Sequence, residues 1–101
     1  MFQDIGKRTV VKEDILPAQL RAARALVDWS REDLAAAAKT TTRTLARIEA
    51  GETMPRSSTL AAIRGALEAA GVIFVAENGE GPGVRLHKTT RAPYIHSSEG
   101  D

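Results

Sequence analysis

Residues 30–52 read SREDLAAAAKTTTRTLARIEAGE, and this stretch decides the fold. Ser30 is a good N-cap residue, and Asp33 follows three positions later, as in a capping box with a shortened acid. The alanines that come next favour a helix over residues 31–38. Their small side chains let the axis of a second helix cross closely.

Three consecutive threonines follow, although β-branched residues lose side-chain freedom in a helix and nucleate one poorly. Thr41 can cap a new helix, and residues 42–50 have helical spacing up to Gly51, where a left-handed residue would close that helix. Only Lys39 and Thr40 remain between the two helices. Such a tight pair, with a short and basic second helix, is the helix-turn-helix arrangement, whose second helix enters a DNA major groove.

Two more helices flank this pair. Pro17 is tolerated in a first turn, and apolar residues continue at helical spacing to about residue 27. After the loop that contains Pro55, Ser57 or Ser58 is expected to cap a helix that ends before Gly71.

The sequence pattern changes after this last helix. The apolar run VIFVA and the turn-rich ENGEGPG, followed by residues 84–86, predict a short β-hairpin. The chain therefore divides into an N-terminal segment (residues 1–16, with one candidate strand at 9–11), a mostly α, four- to five-helix domain (17–71), a hairpin (72–87) and a flexible tail (88–101).

The order and spacing of several segments resemble a known family. WSREDLA (residues 29–35) and TTRTLARIEAGE (41–52), then Pro55 and TL (59–60), look like the Cro and phage-repressor (XRE) type of domain, with its lambda-repressor-like fold. The resemblance implies a sequence-specific, double-stranded DNA-binding transcriptional regulator. We expect it to act as a repressor, and as a homodimer on a palindromic operator. One position departs from the family, because the turn residue that is often glycine is Lys39 here.

The resemblance also assigns DNA contacts. It implies base contacts from Thr42 and Arg43, and from Arg47 one turn further along the same side. Arginine can bind guanine O6 and N7 together, and threonine can contact a thymine methyl group. The expected phosphate contacts lie at helix ends and turns around this helix: Arg31, Lys39, Thr41, Thr53, Arg56 and Ser57.

The family often pairs an arginine of the first helix with the glutamate of the IExG segment. In this chain the pair is Arg24 and Glu49. We expect a partly buried, structural ion pair, because removing either partner would leave a buried charge alone. Trp29 is the only tryptophan, and we expect it to pack in the core.

Both faces of the first hairpin strand are apolar. One face can cover the helices, but the other face and the free strand edge would stay exposed in a monomer. We therefore predict a two-fold dimer that places two recognition helices about 34 Å apart. The expected interface residues are Val72, Ile73, Phe74, Val75, Val84 and Leu86. The alternative is that residues 9–11 cover the hairpin.

Composition narrows the function classes. The chain has no cysteine, and its net charge is only +1, so its positive charge is local, at Lys39, Arg43 and Arg47. His87 and His96 lie apart without an acidic cluster, and there is no phosphate-binding loop or paired nucleophile and base. We expect no metal, no cofactor and no enzymatic activity.

No apolar run approaches the roughly 18 residues of a membrane span, so we expect a cytoplasmic protein of bacterial or phage origin without membrane contact. A second function remains open, a partner-binding regulator such as an antitoxin or anti-activator whose hairpin and tail hold another protein. A ligand-sensing repressor is disfavoured, because the short sequence after Gly71 leaves no room for a separate pocketed domain.

Overall fold

Four helices and a two-stranded antiparallel sheet make up residues 15–88, the part of the chain that the computed structural model describes. The elements are α1 (Pro17–Leu26), α2 (Arg31–Ala38), α3 (Thr42–Glu49), α4 (Ser57–Ala69), β1 (Val72–Val75) and β2 (Gly83–Leu86). This confirms the mostly helical fold with a C-terminal hairpin. The candidate strand at residues 9–11 and the predicted tail after Lys88 lie outside the described residues.

Short polar side chains set the starts of α2 and α3. The N–H of Asp33 donates to Ser30 Oγ at 3.0 Å, and the N–H of Ser30 donates back to the Asp33 carboxylate at 2.9 Å. At the start of α3 the N–H of Thr44 donates to Thr41 Oγ1 at 3.0 Å. Both predicted caps are therefore present, and each satisfies a backbone N–H that lacks a partner within its helix.

The start of α4 differs from the prediction. Its N-cap is Arg56, which makes no side-chain capping hydrogen bond, and Ser57 is already the first helical residue. Arg56 is the last extended residue, with φ −65° and ψ 155°, and helical geometry already begins at Ser57, so both serines lie inside the helix and neither can act as its N-cap.

A left-handed residue closes the turn between α2 and α3. Lys39 has φ 59° and ψ 46°, and the N–H of Thr40 donates to the Ala35 carbonyl at 2.9 Å, as in a Schellman closure. The turn therefore keeps the left-handed geometry for which glycine is usual. In Lys39 this conformation is less favourable, because its Cβ atom lies close to the following carbonyl oxygen. Gly51, with φ 77°, ends α3 in the same left-handed region without that cost.

The core forms where the four helices meet, and the hairpin covers one side of it. The buried apolar side chains are Leu20, Ala23, Leu34, Ala35, Ala38, Leu45, Ile48, Leu60, Ile63, Leu67 and Val72. The alanines of α2 let α4 and α3 pack closely against it, as the sequence predicts. Trp29 packs against this core but stays partly exposed, at its margin.

The register of the hairpin assigns its two faces. Val72 pairs with Leu86 and Phe74 with Val84, so these four side chains share one face, and Phe74 and Val84 pack against the core. Ile73 and Val75 lie on the outer face and are half-buried. Four of the six residues predicted for a dimer interface therefore belong to the inner face, and Val72, only 3% exposed, is part of the chain's own core.

A buried carboxylate joins three helices. Glu49, the last residue of α3, has a side chain only 1% exposed. Arg24 of α1 donates to it from Nε at 2.7 Å and from Nη2 at 2.9 Å, and Arg31 of α2 donates from Nε at 3.0 Å. Arg21 also donates to the Glu49 backbone carbonyl. We call Glu49, Arg24 and Arg31 the clamp, because together they fix the end of α3 against α1 and the start of α2.

The clamp makes stability depend on pH. Burial alone would raise the pKa of Glu49, but hydrogen bonds from Arg24 and Arg31 outweigh it and hold that pKa below the ordinary value of 4.5. Because the folded-state pKa lies below that of the unfolded chain, the carboxylate contributes stability above about pH 4.5 and loses that contribution as pH falls through the folded-state pKa.

We predict that Glu49→Gln lowers the free energy of unfolding by about 3–5 kcal/mol at pH 7, because two arginines lose their charged partner. The deficit relative to the unmodified protein should shrink when urea unfolding is measured at progressively more acidic pH. Glu68→Gln is the matched control. It removes a half-exposed carboxylate whose Oε2 lies 2.8 Å from Arg64 Nε, and it should lower the free energy of unfolding by no more than about 1 kcal/mol. An equal cost for both variants would contradict the structural importance of the clamp.

The turn gives a second stability prediction. Lys39→Gly should make the protein about 0.5–1 kcal/mol more stable than Lys39→Ala, because glycine adopts the left-handed conformation without a Cβ clash and alanine does not. Both variants lose the same charge, so thermal or urea unfolding of the two isolates the backbone effect. An alanine variant as stable as the glycine variant would show that Lys39 is not strained.

Candidate nucleic-acid interface

Helix α3 has an inner side and an outer side. Leu45, Ile48 and Glu49 are buried, whereas Arg43 and Arg47 are exposed. The two arginines are four residues apart, so their side chains leave the same side of the helix. The sequence therefore places the apolar side of α3 in the core and a basic stripe on the surface. Thr42 is half-buried beside this stripe.

A first groove runs along one flank of the stripe, between the start of α2 and α3. Its lining residues are Arg24, Ser30, Arg31, Glu32, Thr42, Arg43 and Ala46. Three arginines around one concave surface, next to the N-terminus of a helix, suit an anion such as a phosphate group. Of the residues predicted from the sequence to contact DNA, this groove brings together Arg31, Thr42 and Arg43.

One part of the Arg31 guanidinium is bound within the protein, and the other part faces the surface. Its Nε–H is bound by Glu49, whereas neither of its Nη groups has a hydrogen-bond partner among the described residues, and the side chain is 46% exposed. Arg24 differs: it also donates from Nη1 to the Trp29 carbonyl at 3.0 Å, and hydrogen bonding to Glu49 raises its pKa. Arg31 therefore has donors available for a ligand, while the donors of Arg24 serve the fold.

A second groove lies on the other flank of α3. It is lined by Thr44, Arg47, Ile48, Thr53, Pro55, Arg56 and Thr59. Thr53 and Arg56 are predicted contact residues, whereas the predicted Ser57 is exposed at the start of α4 and does not line the groove. Sequence reasoning missed Thr44 of α3 and Thr59 of α4, which lie on different helices and line the same groove.

Two predicted phosphate contacts lie at the turn before α3. Lys39 is exposed and carries its charge at the surface. Thr41 is exposed too, but its hydroxyl accepts from the Thr44 N–H and is 2.9 Å from the Thr44 hydroxyl. Thr41 is thus already engaged in capping α3. Met54, 86% exposed in the loop after α3, is a further surface residue that the sequence pattern did not single out.

Acidic residues lie at the margins of the basic stripe. Glu52 is 4.0 Å from Arg47, and both side chains are more than half exposed, so solvent screens this pair strongly. Glu32 borders the first groove. The centre of the surface, at Arg43, has no ion pair with any described residue, which leaves it suited to a polyanion.

Two other kinds of feature are absent from residues 15–88. Over that range, no helix is long and apolar enough to cross a membrane. Over the same range, no three His, Cys, Asp or Glu side chains group in a way that could hold a metal ion.

Comparison with known proteins agrees with this geometry. A family model described as "Helix-turn-helix" matches residues 20–69, from within α1 to the end of α4. No curated protein matches the chain. The family is one of DNA-binding regulators and is not typically enzymatic. With the basic outer side of α3 and the tight turn before it, the match shows that the chain belongs to the XRE-type helix-turn-helix family and is a DNA-binding transcription regulator.

Proposed function

We propose that the protein is a sequence-specific repressor that binds a palindromic operator as a homodimer, with α3 in the major groove of each half-site. The observation that carries this proposal is the exposed pair Arg43 and Arg47 on a helix whose opposite side is fixed in the core. A helix held in this way can enter the groove as a rigid body, because the core fixes its backbone, and with it the points from which both arginine side chains extend, before DNA binds.

Three residues of α3 that are not buried, Thr42, Arg43 and Arg47, would read bases. Arg43, near the start of the helix, would bind guanine O6 and N7 as a bidentate donor, and Thr42 would contact a thymine methyl group. Arg47, one turn further along, would contact the next bases or the edge of the groove. Helix N-terminal residues are the ones that reach base edges in this binding geometry, which supports this order.

The two grooves that flank α3 would hold the phosphate backbone on either side of the major groove. Arg31 would bind a phosphate group in the first groove, and Thr53 and Arg56 would bind one in the second. Lys39, Thr41 and Ser57 would add contacts at the turn and at the start of α4. Such contacts fix the register of the protein on the duplex and carry little sequence information.

The outer face of the hairpin would join two protomers. Ile73 and Val75 are apolar side chains on that face, and a sheet of two strands has free edges. Association of two such hairpins would bury these groups and place the two α3 helices about 34 Å apart, one DNA turn. The dimer would act inside a bacterial or phage-infected cell, where it would block a promoter.

We predict that the purified chain alone binds DNA. The logarithm of its association constant should fall by about 0.9 for each neutralised phosphate when the salt concentration rises tenfold. Arg43→Ala should weaken binding to the preferred site by about 1–3 kcal/mol and relax the preference at one base pair. Arg43→Lys is the control: it keeps the charge and the salt slope, but it loses the bidentate geometry and the base preference.

The measurement is selection of bound sites from random duplexes, followed by titration of the selected site. An unchanged site preference for Arg43→Ala would contradict the base contact. Binding that appears only when a second protein is added would favour the partner-binding alternative. No binding by the purified chain, even at low salt, would contradict the proposed function.

The dimer gives a separate prediction. Light scattering at micromolar concentration should give twice the mass of the chain. Ile73→Lys should convert it to the monomer, because the added charge would lie directly opposite Arg85 on the same face and the two like charges would have to approach each other between the hairpins. Ala62→Lys, which places the same charge on an exposed position of α4, should remain dimeric. A monomer mass for the unmodified protein would contradict the dimer without affecting the assignment of α3.

A further inference from the structure

We propose that Glu49 is a positioning residue for DNA binding, because its buried carboxylate holds Arg31 in the orientation that meets a backbone phosphate. This inference rests on the proposed function, since it assumes that Arg31 contacts DNA. It goes beyond the structural ion pair with Arg24, which concerns the fold alone. Glu49 itself is buried and would never touch the DNA.

The first step is that only one of the Arg31 guanidinium donors is used within the protein. Its Nε–H donates to Glu49 Oε1 at 3.0 Å, which leaves the four N–H bonds of the two Nη groups for an external acceptor. An exposed arginine normally loses rotamer freedom when it binds a ligand. With Nε already held, Arg31 has lost part of that freedom before DNA arrives, so the contact with phosphate costs less.

The second step is that Glu49 itself is held firmly. Arg24 binds both carboxylate oxygens, at 2.7 and 2.9 Å, and the backbone carbonyl of Glu49 accepts from Arg21. The carboxylate therefore cannot follow Arg31 outward. Arg31 is fixed to a group whose position is set by α1 and α3, and this links the phosphate contact at the start of α2 to the placement of the recognition helix.

The third step uses the sign of the charge. Glu49 is negative and lies next to the groove that would bind phosphate. If its effect on DNA were only electrostatic, removing the charge would strengthen DNA binding, since like charges repel. If it positions Arg31, removing the charge would weaken binding. The two effects have opposite signs, so one titration separates them.

The test is a double-mutant cycle on the full chain, with affinity for the selected duplex measured at a pH and temperature where circular dichroism shows each variant folded. Glu49→Gln should weaken binding by about fivefold to tenfold, and it should have less than about a twofold effect when Arg31 is already alanine. Glu49→Gln and Arg31→Ala should each reduce the magnitude of the salt slope by about 0.9. The double variant should show no larger reduction of that slope than either single variant. Glu68→Gln, remote from α3, is the control.

Other outcomes would overturn the inference. Tighter binding by Glu49→Gln would show a purely electrostatic effect. Equal losses with and without Arg31 would show that Glu49 acts only through the fold. If Glu49→Gln does not fold, ¹⁵N relaxation of the Arg31 Nε–H in the unmodified free protein decides: an order parameter near that of the backbone supports positioning, and one below about 0.6 contradicts it. Absence of DNA binding by the unmodified protein would instead contradict the proposed function itself.

Discussion

Glu49 puts a carboxylate at the point where α1, the start of α2 and the end of α3 meet, with almost none of its side chain exposed. A buried charge of this kind is costly unless it is paired and hydrogen-bonded, and here two arginine side chains donate three hydrogen bonds to it. These hydrogen bonds constrain how the three helices lie relative to one another. The position of α3 is therefore set by charge pairing as well as by apolar packing.

Once α3 is fixed at both ends, its outer side is free to serve a ligand. Thr41 caps its start, while Gly51 in the left-handed region closes its end. This explains why a run of three threonines can lead into a helix although β-branched residues favour helices little: the cap and the packing in the core stabilise α3. The residue types at positions 43 and 47 are therefore constrained by what these side chains contact outside the protein, since neither contributes to the core.

The sequence predicts the helices, both caps and the Arg24–Glu49 partners, because these depend on local periodicity, on capping chemistry or on a family pattern with fixed spacing. It does not predict that Arg31 shares Glu49, since that contact depends on how α2 lies against α3, 18 residues away. Alternation along β1 separates Val72 from Ile73 but does not say which face the helices cover. Thr44 and Thr59 lie on different helices, so whether they share one groove depends on tertiary packing that local sequence patterns do not give.

The central claim is that the outer side of α3 is the surface that meets DNA, and NMR titration of the ¹⁵N-labelled protein with its selected duplex tests it most directly. We expect the largest shift changes at Thr42, Arg43 and Arg47, with smaller ones along the two flanking grooves and almost none on the outer face of the hairpin. Changes concentrated on β1 and β2, with α3 unaffected, would contradict the account.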